Sequence, residues 1–266
     1  MNKVKLEWVD TLKFVGIIAV IMGHIASPLG TFIFSWHMPL FFMLAGFFIK
    51  TDLSVDQFLE KDFKRLMVPY FIFACMGLML ETIKRLLLHR ESLEFSNALS
   101  GVFIWMDMDT LIESYAFVLW FLPALFFARI LTYLMLKSNI PLVFQWILVV
   151  ISFIVSFYIQ LPLAIDNAFN SFIFVYFGYF LFKLDNQAAY WPFMLLALVA
   201  IYLFNGIPKL NMSQKQYGNV LINIGWAVAC IYLLIGAVKN INYSHRLIVL
   251  WGGEYNVAVH FSSLYK

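Results

Sequence analysis

Lys13 and His24 stand in a run of otherwise apolar residues from Leu12 to Pro28, where an ionisable side chain is costly unless it pairs or serves chemistry. Their eleven-residue separation turns an α-helix by three full turns plus about 20°, with a rise of ~16 Å, so both project from one face. Asp10 joins the same stripe. A second imidazole, His37, opens the next apolar stretch, SWHMPLFFMLAGFF. An imidazole can take a proton from a hydroxyl near neutral pH and return it later, which suits group transfer onto an alcohol. Plainer readings stand beside this one. Lys13 could snorkel to a membrane interface, His24 could be a neutral imidazole bonded to a neighbouring helix, and His37 could be an interfacial group bonded to water. Two histidines on separate helices without a third ligand do not make a zinc site, and no metal is expected.

The elements that must position these groups follow from composition. Of 266 residues, 63% are apolar and 12% charged, against roughly 45–50% and 25% in soluble domains. That balance excludes an ordinary soluble protein, and at ~20 residues per span little remains for a separate soluble domain. Apolar runs fall at about 12–29, 31–49, 66–88, 115–136, 142–160, 167–184, 190–206, 219–238 and 247–265. The expected fold is therefore an all-α, polytopic membrane helix bundle of about nine spans, with residues 1–266 forming a single domain. Cys75 and Cys230 lie inside long apolar runs, where a thiol behaves as a small hydrophobe, so neither a disulfide nor a thiolate metal site is expected. The formal charge of +3 is spread too thinly for nucleic-acid binding. The first run carries Lys13 and His24 and is followed at once by another, which argues against a cleaved signal peptide.

Lys and Arg are retained on the cytoplasmic side of a membrane. A cytoplasmic N-terminus puts ten of the loop cations inside and five outside, so that orientation is expected. Lys13, Lys64 and Arg65 then come out at the cytoplasmic side. His37, Trp120, Asp166, Tyr217 and Asn219 come out at or near the external ends of their runs. Trp120 and Tyr217 could belong to an interfacial aromatic belt or stack on a sugar ring. Asp166 and Asn219 could cap helices or bind an acceptor, and Lys64 and Arg65 could simply obey the charge rule. Arg129 should face a bundle interior, but no partner is evident.

VDTLKFVGIIAVIMGHIASP followed by WHMPLFFMLAGFF resembles the opening of the acyltransferase family 3 integral membrane proteins, particularly the branch related to fucose 4-O-acetylases. In that family an Asp, a basic residue and a His eleven residues later lie on the first span, and an HMPLFF-like motif opens the second. KRLMVPYFIFA, LWFLPALFFARIL, LPLAIDNAFNSFIFVYFGYFL and YGNVLINIGW extend the likeness, in family order, over nearly the whole chain. WGGEYNVAVHFSS resembles the glycine-rich start of a late family helix. Relatives usually continue for another span or so, so the chain looks shortened.

The resemblance implies an enzyme that moves an acyl group, usually acetyl, from cytoplasmic acyl-CoA to a hydroxyl of a cell-surface glycan or its precursor. It implies a location in the plasma (inner) membrane, no permanently bound cofactor, and acetyl-CoA or another acyl-CoA as donor substrate. Carried over by position, His24 is the principal catalytic residue and His37 a candidate second station. Lys13 takes the place of the family's basic partner and, with Lys64 and Arg65, meets the donor's phosphates. Many relatives have Arg where this chain has Lys13, so a bidentate phosphate contact is replaced by a point charge. Asp10, Trp120, Asp166, Tyr217 and Asn219 are left as supporting or acceptor-side residues. No attached hydrolase-like domain accompanies them, so a partner subunit could be needed. A transporter or flippase of a polar solute competes, because intramembrane Lys, Asp and His also mark permeation paths, although inverted repeats are not evident. The shortened end keeps a non-catalytic membrane scaffold open as well.

Overall fold

A computed structural model of the chain describes residues 7–25, 28–182 and 190–240. The regular structure of the described residues is helical, apart from one hairpin of two two-residue strands. It runs α1 (Glu7–His24), α2 (Gly30–Phe34), α3 (His37–Phe47), α4 (Val55–Asp62), α5 (Val68–Leu87), α6 (Phe95–Ser100), α7 (Met108–Leu111), α8 (Phe121–Lys137), α9 (Leu142–Val155), α10 (Ile165–Leu181), α11 (Trp191–Asn205), β1 (Leu210–Asn211), β2 (Gln216–Tyr217) and α12 (Val220–Asn240). Each of the first eight apolar runs overlaps a described helix. The ninth, 247–265, with its WGGEYNVAVHFSS segment, lies outside the described residues.

Four helical stretches are long and apolar enough to cross a membrane: Gly30–Phe47, Val55–Leu87, Phe117–Lys137 and Val220–Lys239. α9 and α11, at 14 and 15 residues, fall short of the ~20 that a bilayer core asks of one helix. α5 turns Ile72, Met76, Met79 and Ile83 outward, and α9 does the same with Val143, Ile147 and Ile154. Such apolar stripes suit lipid better than water.

α1 begins five residues ahead of the apolar run because Val9 and Leu12 are core residues, and the turn they occupy carries Asp10 and Lys13 with it. α4 starts on a reciprocal cap: the Ser54 hydroxyl accepts from the Gln57 amide at 3.3 Å, and the Gln57 side chain accepts from the Ser54 amide at 3.2 Å. A π-turn over Phe63–Met67 joins α4 to α5. Pro69 lies in the first turn of α5 and has no amide hydrogen to return to the preceding turn, a defect that widening to π geometry absorbs.

The described chain divides into two compact units that interleave in sequence. One contains α1, α2, the start of α3, α11, the hairpin strands and α12. Within it, Trp226 donates its indole N–H to Ser35 Oγ at 2.8 Å, Asn223 donates to the Lys209 carbonyl at 2.6 Å, and Lys239 Nζ sits 4.6 Å from the centre of the Trp8 ring.

The other unit runs from Phe42 to Leu181 and takes in the hairpin tip Met212–Lys215. α10 is its central helix, packed on α8 and α9, with Val149, Phe172 and Tyr176 in one core cluster. α3 crosses α10 at glycine. A Cβ at Gly46 would lie 1.9 Å from the Val175 carbonyl oxygen, and one at Gly178 would lie 2.1 Å from that of Met43. Backbone approach of this kind admits only glycine and is a standard means of packing helices in lipid.

Candidate functional site

In the first unit, His24 is the last residue of α1 and His37 the first of α3. The His24 side chain is exposed. Its Nδ1 lies 2.8 Å from the Val20 carbonyl, and His37 Nδ1 lies 2.9 Å from that of Ile33. A carbonyl can only accept, so in both bonds Nδ1 carries the hydrogen and the neutral ring keeps its lone pair on Nε2. The Phe34 ring meets both edge to face, at 5.7 Å from His24 and 5.2 Å from His37. The two imidazoles are within electrostatic reach of each other. They differ in access, since His37 is 2% exposed.

At the other end of α1, Lys13 donates to Asp10 at 3.3 Å, with both side chains largely covered. The lysine is thus engaged with its own helix, about 16 Å of rise from His24. Tyr217 lies in β2, opposite Leu210. Asn219 caps α12 by accepting from the Ile222 amide at 3.2 Å, so its capping reading is realised.

The second unit separates Lys64 from Arg65. Consecutive residues on a helix diverge by ~100°. Lys64 points outward and pairs at 2.5 Å with Glu60, both about two-thirds exposed, whereas Arg65 is half-buried. Arg65 lies within electrostatic range of Asp62 and Arg129, and Lys61 is coupled to the same pair and to Lys50. Asp62 is the partner that Arg129 lacked in the sequence. Arg129 Nε donates to Asp62 Oδ2 at 2.7 Å and Nη2 to Oδ1 at 3.2 Å, while Nη1 donates to the Ala45 carbonyl. Trp120 is 6% exposed and packs on Phe42, with ring centres 6.4 Å apart. It is a core side chain here.

Asp166 lies inside the first turn of α10, so it does not cap that helix. It is 2% exposed and accepts a hydrogen bond from Lys215 at the hairpin tip. Lys215, Asn167 and Ser171 were not singled out in the sequence. The signal that could have found the last two is DNAFNS, four polar residues in six at the head of an apolar run. Among the described residues, no three His, Cys, Asp or Glu are placed to hold a metal ion.

Residues 6–257 match the family model of the acyltransferase domain. The chain belongs to this family. The match runs through both compact units, and with the apolar helices it makes the protein a membrane acyltransferase. No curated protein and no solved structure gives a significant match.

For an acyltransferase, the histidine geometry carries a chemical capability. Proton transfer needs a base within hydrogen-bond reach of the attacking hydroxyl. His24 Nε2 offers an accessible lone pair whose tautomer the Val20 carbonyl fixes. His37 has the same tautomer and is buried.

Proposed function

We propose that the protein is an acyl-CoA-dependent O-acyltransferase of the plasma membrane, multi-pass with a cytoplasmic N-terminus, that acylates a hydroxyl of a cell-surface glycan or its precursor. Acetyl is the favoured group, and the branch related to fucose 4-O-acetylases the favoured relative. The observation that carries the reading is His24, with Nδ1 held by the Val20 carbonyl at 2.8 Å and its ring exposed.

His24 Nε2 takes the proton of the acceptor hydroxyl as that oxygen attacks the thioester carbonyl. The tetrahedral intermediate collapses with loss of the C–S bond, and the thiolate receives the proton back from the imidazolium. An ester and free CoA result. Lys13, Lys64 and Arg65 are assigned to donor phosphates, each as a cation within its own unit. Asp10 holds the Lys13 ammonium. Tyr217 and Asn219 are assigned to the acceptor side, where Asn219 acts through the start of α12. His37 is the second station if the acyl group is passed on, and a partner subunit could supply the acceptor.

The test is acyl transfer and acetyl-CoA binding by purified variants in lipid. His24→Ala should lose ~10²–10⁴-fold in transfer, the span expected of a general base, with donor affinity nearly intact. Lys13→Ala should weaken donor binding by ~1.5–3 kcal/mol, as for a charged hydrogen bond, and Lys13→Arg should keep most activity. Transfer by His24→Ala at the parent rate would overturn the assignment.

A further inference from the structure

The head of α10 carries buried oxygens whose hydrogen-bonding capacity is unused. Asp166 and Asn167 are 2% exposed and Ser171 1%, yet Asp166 Oδ1, Asn167 Oδ1 and Ser171 Oγ have no hydrogen-bond partner among the described residues. On a helix these three positions fall within an arc of about 140°, so they belong to one face. Buried polar atoms are nearly always bonded, and exceptions need a reason. Two of these atoms are pure acceptors and the third is a hydroxyl, so the missing partner must bring O–H or N–H donors.

Polar contacts tie the neighbouring segments. Lys215 donates to Asp166 Oδ2 and, at 3.2 Å, to the Ile159 carbonyl. The neighbouring Gln160 donates to Asp107 Oδ2 at 3.3 Å, and Gln214 donates to Asp109 at 3.3 Å. Lys215 is thus the cation of the Asp166 carboxylate, while the side-chain amides of Gln160 and Gln214 meet Asp107 and Asp109. Backbone around them is held in the left-handed region without glycine: Met106 at φ 59°, Leu163 at 62°, Ala164 at 52° and Lys215 at 54°. Such conformations persist where the surrounding structure fixes them.

We propose that this cluster, Asp166, Asn167 and Ser171 with Lys215, is the subsite for the acceptor's hydroxyl groups, and that it selects uncharged or amino sugars over acidic ones. The proposal rests on the carbohydrate reading of the preceding section. A sugar ring offers several O–H donors at once, matching oxygens spaced along two turns of one helix. The unused capacity is mainly acceptor capacity, one atom of it a carboxylate oxygen, so the charged group of a uronate or phosphate brings no donor and meets like charge, which is strongly disfavoured.

The experiment uses the whole protein in lipid nanodiscs, acetyl-CoA as donor, and methyl glycosides of several ring configurations, each as the neutral sugar, the amino sugar and the uronate. The uronates should show kcat/KM at least about tenfold below their neutral counterparts. Ser171→Ala and Asn167→Leu should raise KM for the preferred glycoside about two- to tenfold, the range of one lost hydrogen bond, with KM for acetyl-CoA unmoved as the check on folding. Asp166→Asn should narrow the gap between uronate and neutral sugar. Uronates accepted equally well, or unchanged glycoside KM in the Ser171 and Asn167 variants, would overturn the proposal and leave these oxygens to buried water. Failure of every glycoside to accept acetyl would instead overturn the carbohydrate reading, and this subsite with it.

Discussion

The Asp62–Arg129 pair allows a stability prediction with a definite asymmetry. Both side chains are at most 4% exposed, and two guanidinium nitrogens meet two carboxylate oxygens while the third meets the Ala45 carbonyl. Removing one partner from a buried ion pair strands the other and costs ~3–5 kcal/mol, whereas replacing both with apolar groups of similar volume is often tolerated. Arg129→Met should therefore destabilise by about 3–5 kcal/mol. Asp62→Leu should cost at least as much, because it removes the carboxylate that Arg65, Lys61 and Arg129 share and leaves cations facing one another. In the double variant only the Ala45 carbonyl and the residual repulsion between Lys61 and Arg65 stay uncompensated. An unmet carbonyl costs ~1–3 kcal/mol, so the double should be less damaging than either single change. Denaturation by SDS in bicelles, followed by tryptophan fluorescence, would measure all four proteins. Additive single costs, or an Asp62→Leu penalty under about 1 kcal/mol, would refute the buried pair as a structural pin. Loss of transfer in Arg129→Met at parental stability would instead point to Arg129 as a donor contact.

Two further outcomes test the architecture. Gly178→Ala places a Cβ 2.1 Å from the Met43 carbonyl oxygen, and overpacking of that kind typically costs ~1–3 kcal/mol; unchanged melting in lipid would mean that α3 and α10 do not approach so closely. Cysteine introduced at residues 50–54 should be shielded from an impermeant thiol reagent in intact cells, and cysteine near Asn211 should be labelled, as the distribution of Lys and Arg requires; the reverse pattern would exchange the donor and acceptor sides.

What the sequence discloses and what it hides follow from the range of the interaction. Apolar runs fix helices locally, so α8, α9, α11 and α12 lie close to where hydropathy puts them. Helix ends depend on neighbours. α1 starts five residues ahead of its apolar run because Val9 and Leu12 find core partners. The Asn219 cap was legible because it acts three residues away. Asp62, 67 positions from Arg129, was not, although a buried guanidinium made some acid necessary. Lys215 lies in a polar stretch that reads as plain loop, and only the hairpin brings its ammonium 49 positions back to Asp166.

Polar groups in so apolar a chain then fall into two sets. Asp62 with Arg129, Glu81 with Lys84 and Arg85, and Asn223 with the Lys209 carbonyl satisfy one another, the first between two helices, the second along one helix and the third between a helix and a loop. His24 keeps an accessible lone pair after its one bond, and Asp166, Asn167 and Ser171 keep buried acceptor capacity. A membrane protein retains unspent polar capacity at a cost that lipid makes steep. At the first-span histidine and the head of α10 a bound substrate would complete the bonding, which is why these, rather than the better-formed ion pairs, are the groups to mutate first.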